Sequence, residues 1–292
     1  MQEGQGTKLQ EVPQEDRRPR GRPDPRAWED RWETALGAIR PGQGAVLRGR
    51  DLLAELGREP WMGLYLYALT GRRLPPPALR LLEGIWVLCC SYPDPRLWNN
   101  RIAALAGNAR APGGLALGAA LGASEGRLYG AVPAAEALAM LQALHRREAA
   151  GEALEALVEE ALRRDRRLPG YGRPVVRHDE RVPPLLALAR ELGLDGGPHL
   201  ALALRLEGLP ALRRRRLRIN VAAVAAGLAA DLGLDAEAFH LYLLPCFTAG
   251  IVACYADARA HPEGSFLPLR CDRVHYTGPP PRRWEAEAEG EA

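Results

Sequence analysis

Aromatic side chains are scarce: Phe, Trp and Tyr make up 6% of the 292 residues, although 47% are hydrophobic. A core must therefore be built from Leu, Ala and Val, which together with abundant Arg and Glu favour helix over strand. Lys8 is the sole lysine among 39 Lys and Arg residues, a bias in keeping with a GC-rich genome rather than a function. The net charge of +3 is too small to imply nucleic-acid binding. No clean alternation of apolar and polar residues marks a half-buried strand. Neither a CxxC nor any Cys/His spacing suits zinc among Cys89, Cys90, Cys246, Cys254 and Cys271. With no signal peptide apparent, these read as buried cytosolic thiols. No apolar run reaches membrane-span length without a charge or a proline, so residues 220–230 and 241–256 are expected as buried helices. The expectation is a soluble cytoplasmic protein with no metal, no nucleic-acid partner and no membrane contact.

What is present is a succession of apolar segments at helical spacing. Residues 1–25, polar and proline-bearing, read as a disordered tail, and the acidic 285–292 as a second one. Between them, a first helix is expected to open at Arg50-Asp51 with Leu52, Leu53 and Leu56 on its apolar face. Further helices are expected over 61–69, 78–90, 97–107, 113–121, 134–147, 153–164, 182–194, 198–206, 209–216, 219–232 and 235–256, the last kinked at Pro245. The fold class is all-α.

One stretch breaks this pattern: Leu168 is followed by Pro169-Gly-Tyr-Gly-Arg-Pro-Val-Val-Arg-His-Asp-Glu-Arg181. Its prolines and glycines forbid a regular helix, and Gly170 and Gly172 permit positive φ or close backbone approach. The bland reading is a solvated loop. The other is a tight turn that delivers Arg173, Arg177 and Arg181 to an anionic ligand. A basic run at Arg213–Arg216 reads as a solvated helix face, and Asp94-Pro-Arg-Leu-Trp-Asn-Asn-Arg101 is a polar cluster leading into an apolar helix.

Several of these segments resemble, in the same order, motifs of the citrate synthase superfamily, and within it the citryl-CoA lyase branch. They are Leu47-Arg48-Gly49, Tyr67-Ala-Leu-Thr-Gly-Arg-Arg-Leu-Pro75, Gly126-Arg-Leu-Tyr-Gly-Ala131, the 169–181 stretch, Ile219-Asn-Val-Ala222 and Asp272-Arg-Val-His-Tyr-Thr-Gly-Pro-Pro280. The resemblance implies one citrate synthase-like helical domain over 26–284, with its smaller, closing part roughly at 170–245, in a homodimer or larger assembly. It also implies carbon–carbon bond formation or cleavage between acetyl-CoA and oxaloacetate, or a related CoA thioester. The CoA thioester and the di- or tricarboxylate are then substrates, with no permanent cofactor.

The reacting positions depart from the family pattern. Tyr129 stands where a histidine stabilises the enol oxygen, Arg173 where a histidine polarises the keto group, and Ala222 where an aspartate acts as base. A phenol still donates a hydrogen bond, whereas a methyl group moves no proton. Phe247 falls near the place of a buried family arginine and Pro95 near that of a substrate-binding histidine. The resemblance carries over anion-holding residues instead: Arg177 for a CoA phosphate, Arg181 for a substrate carboxylate, and Arg270 and Arg273 toward a neighbouring subunit's site, with Asn99 as a further substrate contact. His178, Asp179, Glu180 and Asp94 could replace the base, but an acid beside arginines more often serves as an ion-pair partner. A non-catalytic protein that binds a CoA ester or a partner enzyme is the alternative.

Overall fold

The computed structural model describes residues 32–42, 44–173, 178–266 and 270–280. The two tails expected at 1–25 and 285–292 lie outside the described residues, as does Arg177. The chain divides into two compact units, the first ending at Arg58 and the second beginning at Glu59.

The first unit corrects the helix expected from Arg50. It holds an antiparallel sheet of β1 (Gly37–Arg40), β2 (Gly44–Leu47) and β3 (Arg50–Asp51), in that order. Gly37 pairs with Leu47 and Arg40 with Gly44; across the second turn Leu47 pairs with Arg50. Gly42 (φ 74°) and Gly49 (φ 78°) make the two reversals. The Asp51 carboxylate accepts from the N–H groups of Leu53 and Ala54, both at 2.8 Å, which closes a turn where a longer helix was expected. Strands of two to four residues are too short to show an alternating pattern.

The second unit is helical. Its elements are α1 (Trp61–Thr70), α2 (Pro76–Cys89), α3 (Trp98–Asn108), α4 (Gly113–Ala123), α5 (Ala131–Ala149), α6 (Leu154–Asp165), α7 (Val182–Glu191), α8 (Pro198–Glu207), α9 (Pro210–Arg214), α10 (Val221–Asp231), α11 (Ala236–Leu243) and α12 (Thr248–Ala260). The all-α class therefore holds for this unit, with the sheet of the first unit as the exception.

The centre of the core is α10, where Val221 and every residue from Ala223 to Ala230 is buried. A helix apolar on all sides must be surrounded, and α10 packs against α5, α8, α7 and α2. Asn220 caps it, its side-chain oxygen accepting from Ala222 N–H at 2.9 Å. The expected kink appears as a 3-10 turn, Leu244–Phe247, that contains Pro245 and separates α11 from α12. The whole run Ala236–Ala260 has the length and apolarity to cross a membrane; here Phe239, Tyr242, Leu243 and Ile251 are buried in the core. On the other flank α12 lies along α3, and Gly107 leaves room for the Tyr255 carbonyl, which a β-carbon would approach to 2.3 Å.

Candidate active site

The Gly/Pro stretch lies directly on the first turn of α10. Leu168 and Tyr171 are buried, and the Tyr171 hydroxyl donates to the Ala203 carbonyl of α8 at 2.6 Å. Tyr171 pairs with Ile219 in an isolated antiparallel bridge. Gly172 N–H donates to Arg218 O at 2.6 Å, Asn220 N–H to Gly170 O at 2.9 Å, and the Asn220 amide to Gly172 O at 3.0 Å. Gly170 is required twice over: its φ is 84°, and a β-carbon there would sit 2.5 Å from that of Ala223. The cap of α10 and the loop are thus one hydrogen-bonded piece.

The charges of the loop are built inward. The Asp179 side chain is wholly buried and accepts from Arg181 Nε at 2.8 Å, Arg181 Nη2 at 2.7 Å, Arg181 N–H at 3.1 Å and Val221 N–H at 2.9 Å. Burial alone would raise its pKa. The Arg181 and Val221 hydrogen bonds and the Arg181 charge outweigh that and hold the carboxyl at about 2. Burial likewise opposes the Arg181 charge, and Asp179 overcomes it, so this guanidinium stays protonated. Its Nη1 makes no hydrogen bond among the described residues. Arg173 donates from Nη1 to Glu180 and to the His178 carbonyl at 3.2 Å, and the same nitrogen lies 3.6 Å from Asp179. Its Nε and Nη2 are likewise unspent among the described residues. The hydrogen bond from Arg173 lowers the Glu180 pKa.

Tyr129 approaches from the loop between α4 and α5. Glu125 and Gly130 pair across that loop, and Ala131 N–H donates to Ser124 O at 2.9 Å. Glu125 also meets His240 of α11, with Oε2 to Nε2 at 2.8 Å. The Tyr129 ring packs edge-on against Trp98 and tilted against Phe247, each with centroids 6.2 Å apart. Its hydroxyl lies 3.1 Å from Ser91 Oγ. Burial raises its pKa, opposed by the Ser91 hydrogen bond and by the Arg181 charge. That charge also acts on Cys89, Cys90 and Tyr92. Burial pushes the Cys89 thiol up to about 12 in spite of it, leaving an inert thiol rather than a nucleophile. The Arg181 charge thus reaches Tyr129, 52 residues earlier by numbering.

Among the other sequence-predicted residues, half-buried Ala222 lies in the first turn of α10, next to the Val221 N–H that binds Asp179. Phe247 fills its position with an apolar ring against Tyr129. Asn99 is fully buried and touches Ser91 and Ser124, so it reaches the site through Ser91. Asp94 is engaged by Arg96, whose hydrogen bonds hold its pKa at about 2. Arg270 is exposed and paired with Asp272 at 2.8 Å. Among the described residues, neither it nor exposed Arg273 shares a hydrogen bond or ion pair with this site. Ser91, Ser124 and Tyr92 had no sequence signal beyond being polar at the ends of apolar helices.

A profile of the family "Citrate synthase, C-terminal domain" matches residues 45–261. No curated protein sequence matches the chain. Among solved structures, the citryl-CoA lyase of Hydrogenobacter thermophilus superposes with a TM-score of 0.75 at 22% identity, over 87% of this chain and 97% of that one. The ATP citrate lyase of Methanosaeta concilii, a D541A mutant in complex with (3S)-citryl-CoA, gives 0.68 at 20% identity over 85% of this chain. The Thermoplasma acidophilum citrate synthase, a ternary complex with carboxymethyl coenzyme A and oxaloacetate, gives 0.60 at 17% identity over 78% of this chain. This chain spans 42% and 60% of the latter two. These superpositions establish the fold, and the profile covers most of the chain: it belongs to the citrate synthase family.

Proposed function

We propose that the chain binds a CoA thioester together with a di- or tricarboxylate and catalyses carbon–carbon bond formation or cleavage of the citryl-CoA type, with a weakened proton-transfer apparatus. The observation that carries this reading is the buried Asp179–Arg181 pair held on the first turn of α10, whose charge reaches Tyr129. Arg181 keeps Nη1 for a ligand carboxylate while Asp179 fixes its other edge. Tyr129 offers a phenol to the thioester oxygen on which enolate charge develops, and such donors act strongly in a site that excludes water. Arg173 supplies a fixed positive charge where the keto or carbinol oxygen would lie, and it cannot cycle a proton near neutral pH. The (3S)-citryl-CoA, carboxymethyl coenzyme A and oxaloacetate bound by the structural neighbours are the ligand class this arrangement suits.

A second reading is a binding protein without turnover. It is favoured by the Ala222 methyl and by the state of the adjacent acids: Asp179 is held at about 2 and the Glu180 pKa is lowered, so both are weak bases. The test is purified protein with (3S)-citryl-CoA, oxaloacetate release being read by NADH consumption through malate dehydrogenase. Turnover above buffer, lost in Arg181→Met, supports the first reading. Calorimetric binding without turnover transfers the function to the second. If the intact chain neither binds nor turns over the thioester, both readings fall.

A further inference from the structure

Behind Tyr129 lies a chain of buried polar groups that the family's motif residues do not account for. Ser91 is 1% exposed, and Asn99 and Ser124 are fully buried. The Asn99 amide nitrogen donates to Ser91 Oγ at 2.6 Å and to Ser124 Oγ at 2.9 Å. Ser124 spends its own hydrogen on the Ala120 carbonyl at 3.0 Å, so it has none to offer an amide oxygen. That fixes which end of the amide faces the serines, because a flipped Asn99 would set two acceptors against each other. The Asn99 oxygen turns the other way and accepts from Asn100 N–H at 2.9 Å.

The direction of the last link follows by elimination. Ser91 Oγ already accepts from Asn99, and among the described residues its hydrogen has one acceptor within reach, Tyr129 Oη at 3.1 Å. Were Tyr129 the donor instead, the Ser91 hydrogen would be buried without a partner, which is unfavourable. Ser91 therefore donates, Tyr129 Oη accepts, and the phenolic hydrogen is left to point into the site.

We propose that Ser91 and Asn99 are positioning residues that commit the Tyr129 hydroxyl to donating toward a ligand oxygen. The relay runs from Asn99 through Ser91 to Tyr129, with Ser124 as its anchor. This rests on the reading of Tyr129 as the group facing the thioester oxygen, but the hydrogen-bond direction itself exists without any ligand. The backbone holds both serines at fixed points. A β-carbon on Gly250 of α12 would lie 2.0 Å from the Ser91 carbonyl oxygen, and one on Gly130 would lie 1.6 Å from that of Ser124. Close backbone approach from α12 and from the loop before α5 thus fixes the main chain at both serines. A phenol can donate or accept, so a neighbour has to decide its direction.

The test is a titration of Tyr129 in the ligand-free full chain, by fluorine NMR after 3-fluorotyrosine incorporation. The fluorine lowers the phenol pKa and with it the pH the titration has to reach. The Tyr129 resonance is identified by its loss in Tyr129→Phe. A serine that donates to the phenolate stabilises it, so Ser91→Ala should raise the Tyr129 pKa by roughly 1–2 units. Ser91→Thr, which keeps the hydroxyl, should return it to the parent value. Ser91→Cys, nearly isosteric and a weaker donor, should give an intermediate rise and stands in if the alanine variant does not fold. An unchanged or lowered pKa in these variants overturns the relay. Absence of citryl-CoA turnover in the parent would remove the proposed reaction and leave this result standing.

Discussion

At the residue scale the pivotal group is Asp179, a carboxylate with no exposed surface that ties the site arginine to the end of α10. Removing one member of such a buried pair strands the other, at a cost of about 3–5 kcal/mol. Asp179→Asn preserves shape but gives up the charge and one acceptor, so its urea midpoint at neutral pH should fall accordingly. The sign of the pH dependence is fixed by the direction of the shift. The folded pKa, about 2, lies below the ordinary 3.8, so the carboxylate's contribution is fully present above the latter and is lost as pH falls through the former. Stability of the parent should thus decline between about pH 4 and pH 2 more steeply than that of Asp179→Asn. Equal slopes would show that other acids govern the acid limb. The same geometry bears on the base left open in the sequence. Asp179 accepts from the N–H of Val221, next to Ala222, Glu180 follows it in the chain, and both are committed to arginines, as expected of acids in an arginine-rich loop.

At the element scale the loop from Leu168 to Arg173 is held by the α10 cap, and Gly170 is its tightest point. Gly170→Ala meets both the left-handed penalty and the Ala223 side chain, and should destabilise by about 3 kcal/mol. Gly151→Ala is the control: it also has positive φ (93°), but a β-carbon there touches nothing within 4 Å, so its cost should be near 1 kcal/mol. Thermal melts of the two variants separate strain from packing, and equal shifts would mean that the loop does not press on α10. This contrast also shows what the sequence carried. Gly170 and Pro245 announced their backbone consequences because local sterics decide them. The helices showed in their apolar spacing, because α10 and its neighbours hide whole faces. The sheet at Gly37–Arg40 and Gly44–Leu47 did not, since four-residue strands carry too few side chains for a period. Asn99 was legible as a polar residue before an apolar helix, but its partners Ser91 and Ser124 lie 8 and 25 residues away in sequence and meet it only in three dimensions.

At the scale of the whole molecule, the citrate synthase fold is retained, and the proposal that Ala222 stands where the family has its base has a specific consequence. A catalyst cannot shift an overall equilibrium, so loss of the aspartate slows synthesis and cleavage by the same factor and chooses no direction. On the proposed reading it isolates one step, exchange of a proton at the acetyl methyl group, for which Ala222 offers no base. The roles proposed for Arg181 and Tyr129 do not depend on that base. If those groups are otherwise arranged for the reaction, Ala222→Asp should accelerate deuterium exchange into acetyl-CoA in heavy water by ~10²–10⁴-fold, the usual worth of a positioned general base. Adding Arg173→His should then raise condensation with oxaloacetate, since that residue addresses the other substrate. Proton NMR of the acetyl methyl reads the first effect and citrate formation the second. Exchange that stays at the background rate in Ala222→Asp, with CoA-ester binding intact, would mean that the pocket has been rebuilt around the alanine. The chain would then be a binding protein on a catalytic scaffold.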